Sequence, residues 1–128
     1  MPHPVPMIER LGGEPVLRRL VDRFYDHMAV LPQAATILAM HPRDLTSSRE
    51  KLFLFLVGRF GGRQTYIEQR GHPRLRMRHG PFAVDGAAAD AWMACMSLAL
   101  DEVIDDPGLR QELHGFLDGV ARHMQNRR

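Results

Sequence analysis

A single cysteine, Cys95, rules out any disulfide within the chain, so stability has to come from packing. A lone thiol fits a reducing compartment, and the expected setting is the cytoplasm. No apolar run approaches the ~20 residues that a membrane-spanning helix needs. The uncharged stretch from Ala91 to Leu100 falls far short of that. The opening Met1-Pro2-His3-Pro4-Val5-Pro6 has no basic region followed by an apolar one, so no secretory leader is expected. No segment alternates polar and apolar residues with period two over a useful length, which argues against sheet architectures. The net charge is only +2 over 128 residues, so the molecule as a whole is not a polycation.

What is present reads as helix. A 45% hydrophobic chain of this length suits one core and one domain, residues 1–128, with residues 1–6 as a stiff extended lead-in. Met7 to Leu11 predicts a short helix closed by Gly12-Gly13. Pro15 fits the first turn of the next helix, where its missing N–H costs nothing. Leu17, Leu20, Val21, Phe24 and Met28 then make one apolar face. By periodicity alone Tyr25, at the edge of that face, reads as a half-buried tyrosine with its hydroxyl in water. Gln33 to Met40 predicts a short helix, which His41-Pro42 must leave. Ser47 and Glu50 match a capping box at the start of a helix carrying Leu52, Phe55, Leu56 and Phe60, stopped by Gly61-Gly62. Thr65 to Gln69 predicts a helical turn. Asp85 caps a helix with Trp92, Cys95, Met96, Ala99 and Val103 inward, and Asp106-Pro107 opens a last one with Leu109, Leu113, Phe116, Leu117, Val120 and Met124. The fold class is all-α.

Between these helices lies an irregular stretch, Gln69-Arg70-Gly71-His72-Pro73-Arg74-Leu75-Arg76-Met77-Arg78-His79-Gly80-Pro81-Phe82. Long irregular segments in compact folds are usually functional or disordered, and Leu75, Met77 and Phe82 have the character of anchors. A neutral imidazole such as His79 ligates zinc or haem iron. Zinc is disfavoured, since His72 and His79 flank a proline and no four-ligand set accompanies them. Haem asks for one histidine, an apolar pocket, and basic or hydroxyl groups at the rim, all of which are present. On pattern alone a lone histidine is more often a satisfied or solvated residue, and Trp92 and Cys95 more often core filler. The cluster Arg63, Arg70, Arg74, Arg76 and Arg78 offers charge to a polyanion, but it lacks the interleaved aromatics of a single-strand binder, and glycines and prolines interrupt any recognition helix. Nucleic acid is therefore not the expected partner.

These residues resemble group II of the truncated haemoglobins. The likeness runs from about Met7 into the last helix. It is carried by Gly71-His72-Pro73-Arg74-Leu75-Arg76-Met77-Arg78-His79 with Pro81-Phe82, by Asp90-Ala91-Trp92, by Arg23-Phe24-Tyr25, and by the pairs Gly12-Gly13 and Gly61-Gly62. Phe60 and Arg63 depart from the family's pattern, with consequences expected for packing more than for ligand chemistry.

The resemblance implies a globin-like two-over-two helical sandwich around haem b (iron protoporphyrin IX), with His79 as the proximal iron ligand. It places Tyr25, His41 and Trp92 on the opposite, distal side as hydrogen-bond donors to the gas. Ser48 stands where classical globins carry a distal histidine, with Leu52 one turn on. Lys51, Tyr66 and Arg76 are carried over to the propionate rim, and Phe82 to the haem contact. Oxygen, carbon monoxide and nitric oxide are the implied ligands. Strong distal donors imply slow oxygen release, hence nitric oxide dioxygenase-like or peroxidase-like chemistry with an unidentified reductase rather than bulk oxygen transport. A monomer or homodimer is expected. The competing reading is a haem-free helical regulatory or interaction module that uses the arginine-rich patch. The joint presence of Tyr25, His79 and Trp92 argues against it.

Overall fold

The computed structural model describes residues 5–71 and 84–125, and every regular element among them is helical. Helix α1 (Met7–Leu11) ends at Gly12, whose φ of +113° is reached cheaply only without a side chain. A Cβ there would also meet Val16 Cγ2 at 2.7 Å. Helix α2 (Glu14–Val30) carries Pro15 in its first turn, as expected. Leu17, Leu20, Val21, Phe24 and Met28 on its inner face are fully buried. At about 1.5–3 kcal/mol for each large apolar side chain taken out of water, this face alone is a major source of stability.

The expected helix from Gln33 to Met40 is two pieces, a 3₁₀ turn (Pro32–Ala34) followed by α3 (Ala35–Ala39). Helix α4 (Thr46–Arg59) corrects the capping-box expectation. Leu45 holds the cap position, and neither it nor Ser47 closes the helix with a side-chain bond. Asp44 does so instead, accepting from the Thr46 N–H at 2.9 Å. Hydrogen bonding from the Thr46 side chain first, and from its backbone N–H second, holds the Asp44 carboxyl below its ordinary range. Gly61, at φ +93°, turns the chain after α4, and a Cβ on it would meet Pro6 at 2.9 Å. Ile8 N–H donates to the Phe60 carbonyl at 2.9 Å, tying α1 to the end of α4.

Helix α5 (Thr65–Arg70) is short. Helix α6 (Gly86–Val103) starts at Asp85, which accepts from Ala88 N–H at 2.8 Å. Helix α7 (Pro107–Met124) starts at Asp106, which accepts from Gly108 N–H at 2.9 Å and Leu109 N–H at 3.3 Å. Both caps are those expected from the sequence. Helix α2 packs on α4, α6 on α7, and α2 also lies against α6, joining the pairs as a two-over-two sandwich. Cys95, Met96, Leu113 and Leu117 are buried where the pairs meet the core. Burial pushes the Cys95 thiol up to about 11, so it behaves as the small apolar group that its helical position predicts.

Candidate functional site

The sandwich leaves a cavity of about 500 Å³ between its layers. Every helix from α2 to α7 contributes to the wall. Its lining is mainly apolar: Ile37, Met40, Leu52, Phe55, Leu56, Val84, Ala88, Ala89, and, from the last helix, Leu117, Val120, Ala121 and Met124. The polar groups are Tyr25, His41, Ser48, Lys51, Tyr66 and Trp92. Tyr25, His41, Ser48, Lys51, Leu52, Tyr66 and Trp92, chosen from sequence, therefore meet on one surface. His79, Arg76 and Phe82 lie outside the described residues.

Tyr25 corrects its reading from periodicity. Its side chain is only 5% exposed, because the α2 position beside Phe24 is covered by α4 and the loop that carries His41. Burial pushes the Tyr25 phenol up to about 12, while the Arg49 guanidinium opposes that shift. Its ring stands edge-on to His41 with centroids 5.8 Å apart. Phe24, fully buried, packs on Tyr25 and on Trp92, each at a centroid distance of 4.9 Å. One phenylalanine thus sets the spacing of two polar aromatics carried by α2 and α6. His41 Nδ1–H donates to the Ile37 carbonyl at 2.8 Å. Tyr66 is buried and meets the Phe55 ring edge-on at 5.8 Å.

A network that sequence reasoning missed buttresses this wall from outside. Arg49 on α4 donates to the Asp22 carbonyl at 2.9 Å, to Asp22 Oδ1 at 3.3 Å and to Asp26 Oδ1 at 2.8 Å, all on α2. Arg23 donates to Asp26 at 3.1 Å and to Glu102 on α6 at 2.7 Å, and His27 also bonds Glu102. Asp22 and Asp26, one helical turn apart, were the available clue, but only docking of α4 shows what they hold. The cavity face of α7 was likewise assigned to the core rather than to a pocket wall.

Arg63, expected in a basic patch, is committed to Glu14, with Nε at 2.9 Å and a second nitrogen at 3.0 Å. Arg74, Arg76 and Arg78 lie outside the described residues, as does His72. Lys51 borders a second, more open depression of about 520 Å³ beside the start of α4, with Asp44, Glu50 and Gln69. It therefore stands between the internal cavity and the surface. Among the described residues no group of three or more His, Cys, Asp or Glu side chains is placed to hold a metal ion, and no helix is long and apolar enough to cross a membrane.

Residues 7–126 match the bacterial-like globin family. The chain is 43% identical over 114 residues to the group 2 truncated hemoglobin YjbI of Bacillus subtilis, covering 89% of this chain and 84% of the relative. Its fold superposes on the group II 2-on-2 hemoglobin of Agrobacterium tumefaciens with a TM-score of 0.93 at 38% identity, covering 99% of this chain and 98% of that one. The cold-adapted truncated hemoglobin of Pseudoalteromonas haloplanktis also gives 0.93, at 40% identity, with 97% and 100% covered.

Proposed function

The chain belongs to the truncated haemoglobins, in group II of that family, and from that premise we propose that its cavity holds haem b and presents diatomic ligands to Tyr25, Trp92 and His41. A globin of this family binds haem and small ligands. The observation that carries the finer reading is the meeting of these three side chains on one apolar cavity of about 500 Å³. That size and lining fit a flat apolar cofactor with polar groups at few points. Tyr66, three residues before the stretch from Gln69 to Phe82 that carries His79, and Val84, two residues after it, both line the cavity. In this reading His79 ligates the iron, Lys51, Tyr66 and Arg76 meet the propionates, and Ser48, Leu52 and Phe82 contact the macrocycle.

Haem, when bound, supplies an iron that takes up diatomic gases and exchanges electrons. The chain supplies the surroundings. With its phenol pushed up to about 12, Tyr25 keeps its proton throughout the neutral range and serves as an O–H donor. Trp92 has only an N–H to offer and can never accept. In an apolar cavity, a hydrogen bond donated to a ligand of partial negative charge is stronger than in water. Such donors retain oxygen and favour its reaction with nitric oxide or the turnover of peroxide, with electrons from a separate reductase, over bulk carriage.

The test is the absorption spectrum of the purified chain, ferric and dithionite-reduced, with and without carbon monoxide, beside His79→Ala. A Soret band that shifts with carbon monoxide, and is weakened or altered in the variant, is expected. Failure of added haem to give a stable specific spectrum would overturn the reading.

A further inference from the structure

The hydrogen bond from His41 to Ile37 decides more than the angle of a ring. A backbone carbonyl oxygen can only accept, so Nδ1, at 2.8 Å from it, must carry a proton. A neutral imidazole has one proton on its two nitrogens. With Nδ1 protonated, Nε2 is left with a bare lone pair. Neutral His41 therefore cannot donate to a ligand, as a distal donor must. Its free nitrogen can only accept.

The other polar groups of the cavity make that lone pair distinctive. From α2, Tyr25 is held in its protonated form by burial, with the Arg49 guanidinium 5.8 Å from its ring centre. From α6, Trp92 is a donor only. From α4, Lys51 offers donors and Ser48 a hydroxyl, and from α5 Tyr66 offers a phenol, so none of these brings a ring nitrogen lone pair. No carboxylate lines the cavity among the described residues, and Asp22 and Asp26 are bonded to Arg49 behind the wall. Among the described side chains of the cavity, His41 is thus the one that offers a bare nitrogen lone pair.

We propose that His41 is the proton acceptor of this cavity, taking a proton through Nε2 from a weak protic acid HX and leaving the anion X⁻ there as the ligand. This rests on the haem reading above and deepens it by naming the ligand class favoured: small acids that enter neutral and bind as anions. The step balances without any oxidant. The H–X bond breaks, an Nε2–H bond forms, and the bonding pair stays on X. The resulting imidazolium keeps its Nδ1–H on Ile37 and gains an Nε2–H, so the acceptor becomes a cationic donor beside the anion it has produced.

Two measurements test this. Nitrogen-15 NMR of the reduced, carbon monoxide-bound protein reads the His41 tautomer directly. A proton on Nδ1 and none on Nε2 is expected at neutral pH, and the opposite tautomer overturns the proposal whether or not any variant folds. The second probe is hydrogen cyanide, with carbon monoxide as the aprotic control. In His41→Phe and His41→Gln the rate of cyanide uptake at neutral pH is expected to fall about a hundredfold relative to the carbon monoxide rate. The difference should close at alkaline pH, where the probe is already an anion. An unchanged ratio, or a loss equal at all pH values, means a packing role and overturns the proposal. A chain with no Soret band overturns the haem reading and this inference with it, whereas a normal Soret band with either adverse result overturns this inference alone.

Discussion

Arg49 holds its guanidinium 5.8 Å from the centre of the Tyr25 ring while donating to Asp26 at 2.8 Å. The side chain is 25% exposed and also bonds the Asp22 carbonyl, so it fastens α4 to α2 directly behind a cavity-lining tyrosine. Arg49→Met would keep the aliphatic stem and lose these bonds. Partial exposure limits the cost to about 1–2 kcal/mol. Urea unfolding should show a lower midpoint with an unchanged slope. A midpoint equal to wild type would mean that the network holds nothing that packing does not already hold.

Tyr25→Phe removes one O–H and little else from the wall. If the phenol donates to oxygen, the lost bond is about 1.4 kcal/mol and oxygen should dissociate about tenfold faster. Stopped-flow displacement of oxygen by carbon monoxide measures this. An unchanged rate would remove Tyr25 from the ligand's hydrogen-bond shell.

Phe24→Ala tests the spacer between the two polar aromatics. The ring is fully buried against Tyr25 and Trp92, so its loss leaves a cavity and is expected to cost about 3–5 kcal/mol. Denaturant titration followed by circular dichroism reads the loss. A cost below that of an ordinary surface substitution would contradict this packing.

Glu102 carries a pH signature. It accepts from Arg23 and from His27, and these bonds, Arg23 first, hold its carboxyl below the ordinary carboxylate range. A carboxyl lowered by folding stabilises the native state above its unfolded pKa, and the contribution fades as pH falls through the folded one. Glu102→Gln should therefore have a lower Tm than wild type at neutral pH, and the gap should close in acid. The pair is exposed, so added salt should narrow the gap too. A gap independent of pH would assign the effect to shape rather than charge.

Cys95 should be inert until the protein unfolds. It is fully buried and its thiol is pushed up to about 11 by that burial. A disulfide reagent added to native protein should react only as fast as α6 opens, and at once in denaturant. Rapid reaction in native buffer would contradict the buried placement.

Local rules carried much of this molecule. The inner faces of α2, α6 and α7 repeat at helical spacing, and Asp85 and Asp106 cap because a short carboxylate reaches amides two or three residues ahead. Gly12 and Gly61 stop helices because they hold backbone angles that side chains resist. The resemblance added Tyr25, His41, Ser48, Lys51, Leu52, Tyr66 and Trp92, and the structure sets all of them around one cavity. Tertiary structure decided what depends on docking. It buried Tyr25 beneath α4, made Asp44 rather than Ser47 close that helix, and committed Arg63 to Glu14 and Arg49 to Asp22 and Asp26. Periodicity reports which face of a helix is apolar, since that is a property of neighbours in sequence. Which guanidinium meets which carboxylate depends on distances between groups that only the packed chain brings together.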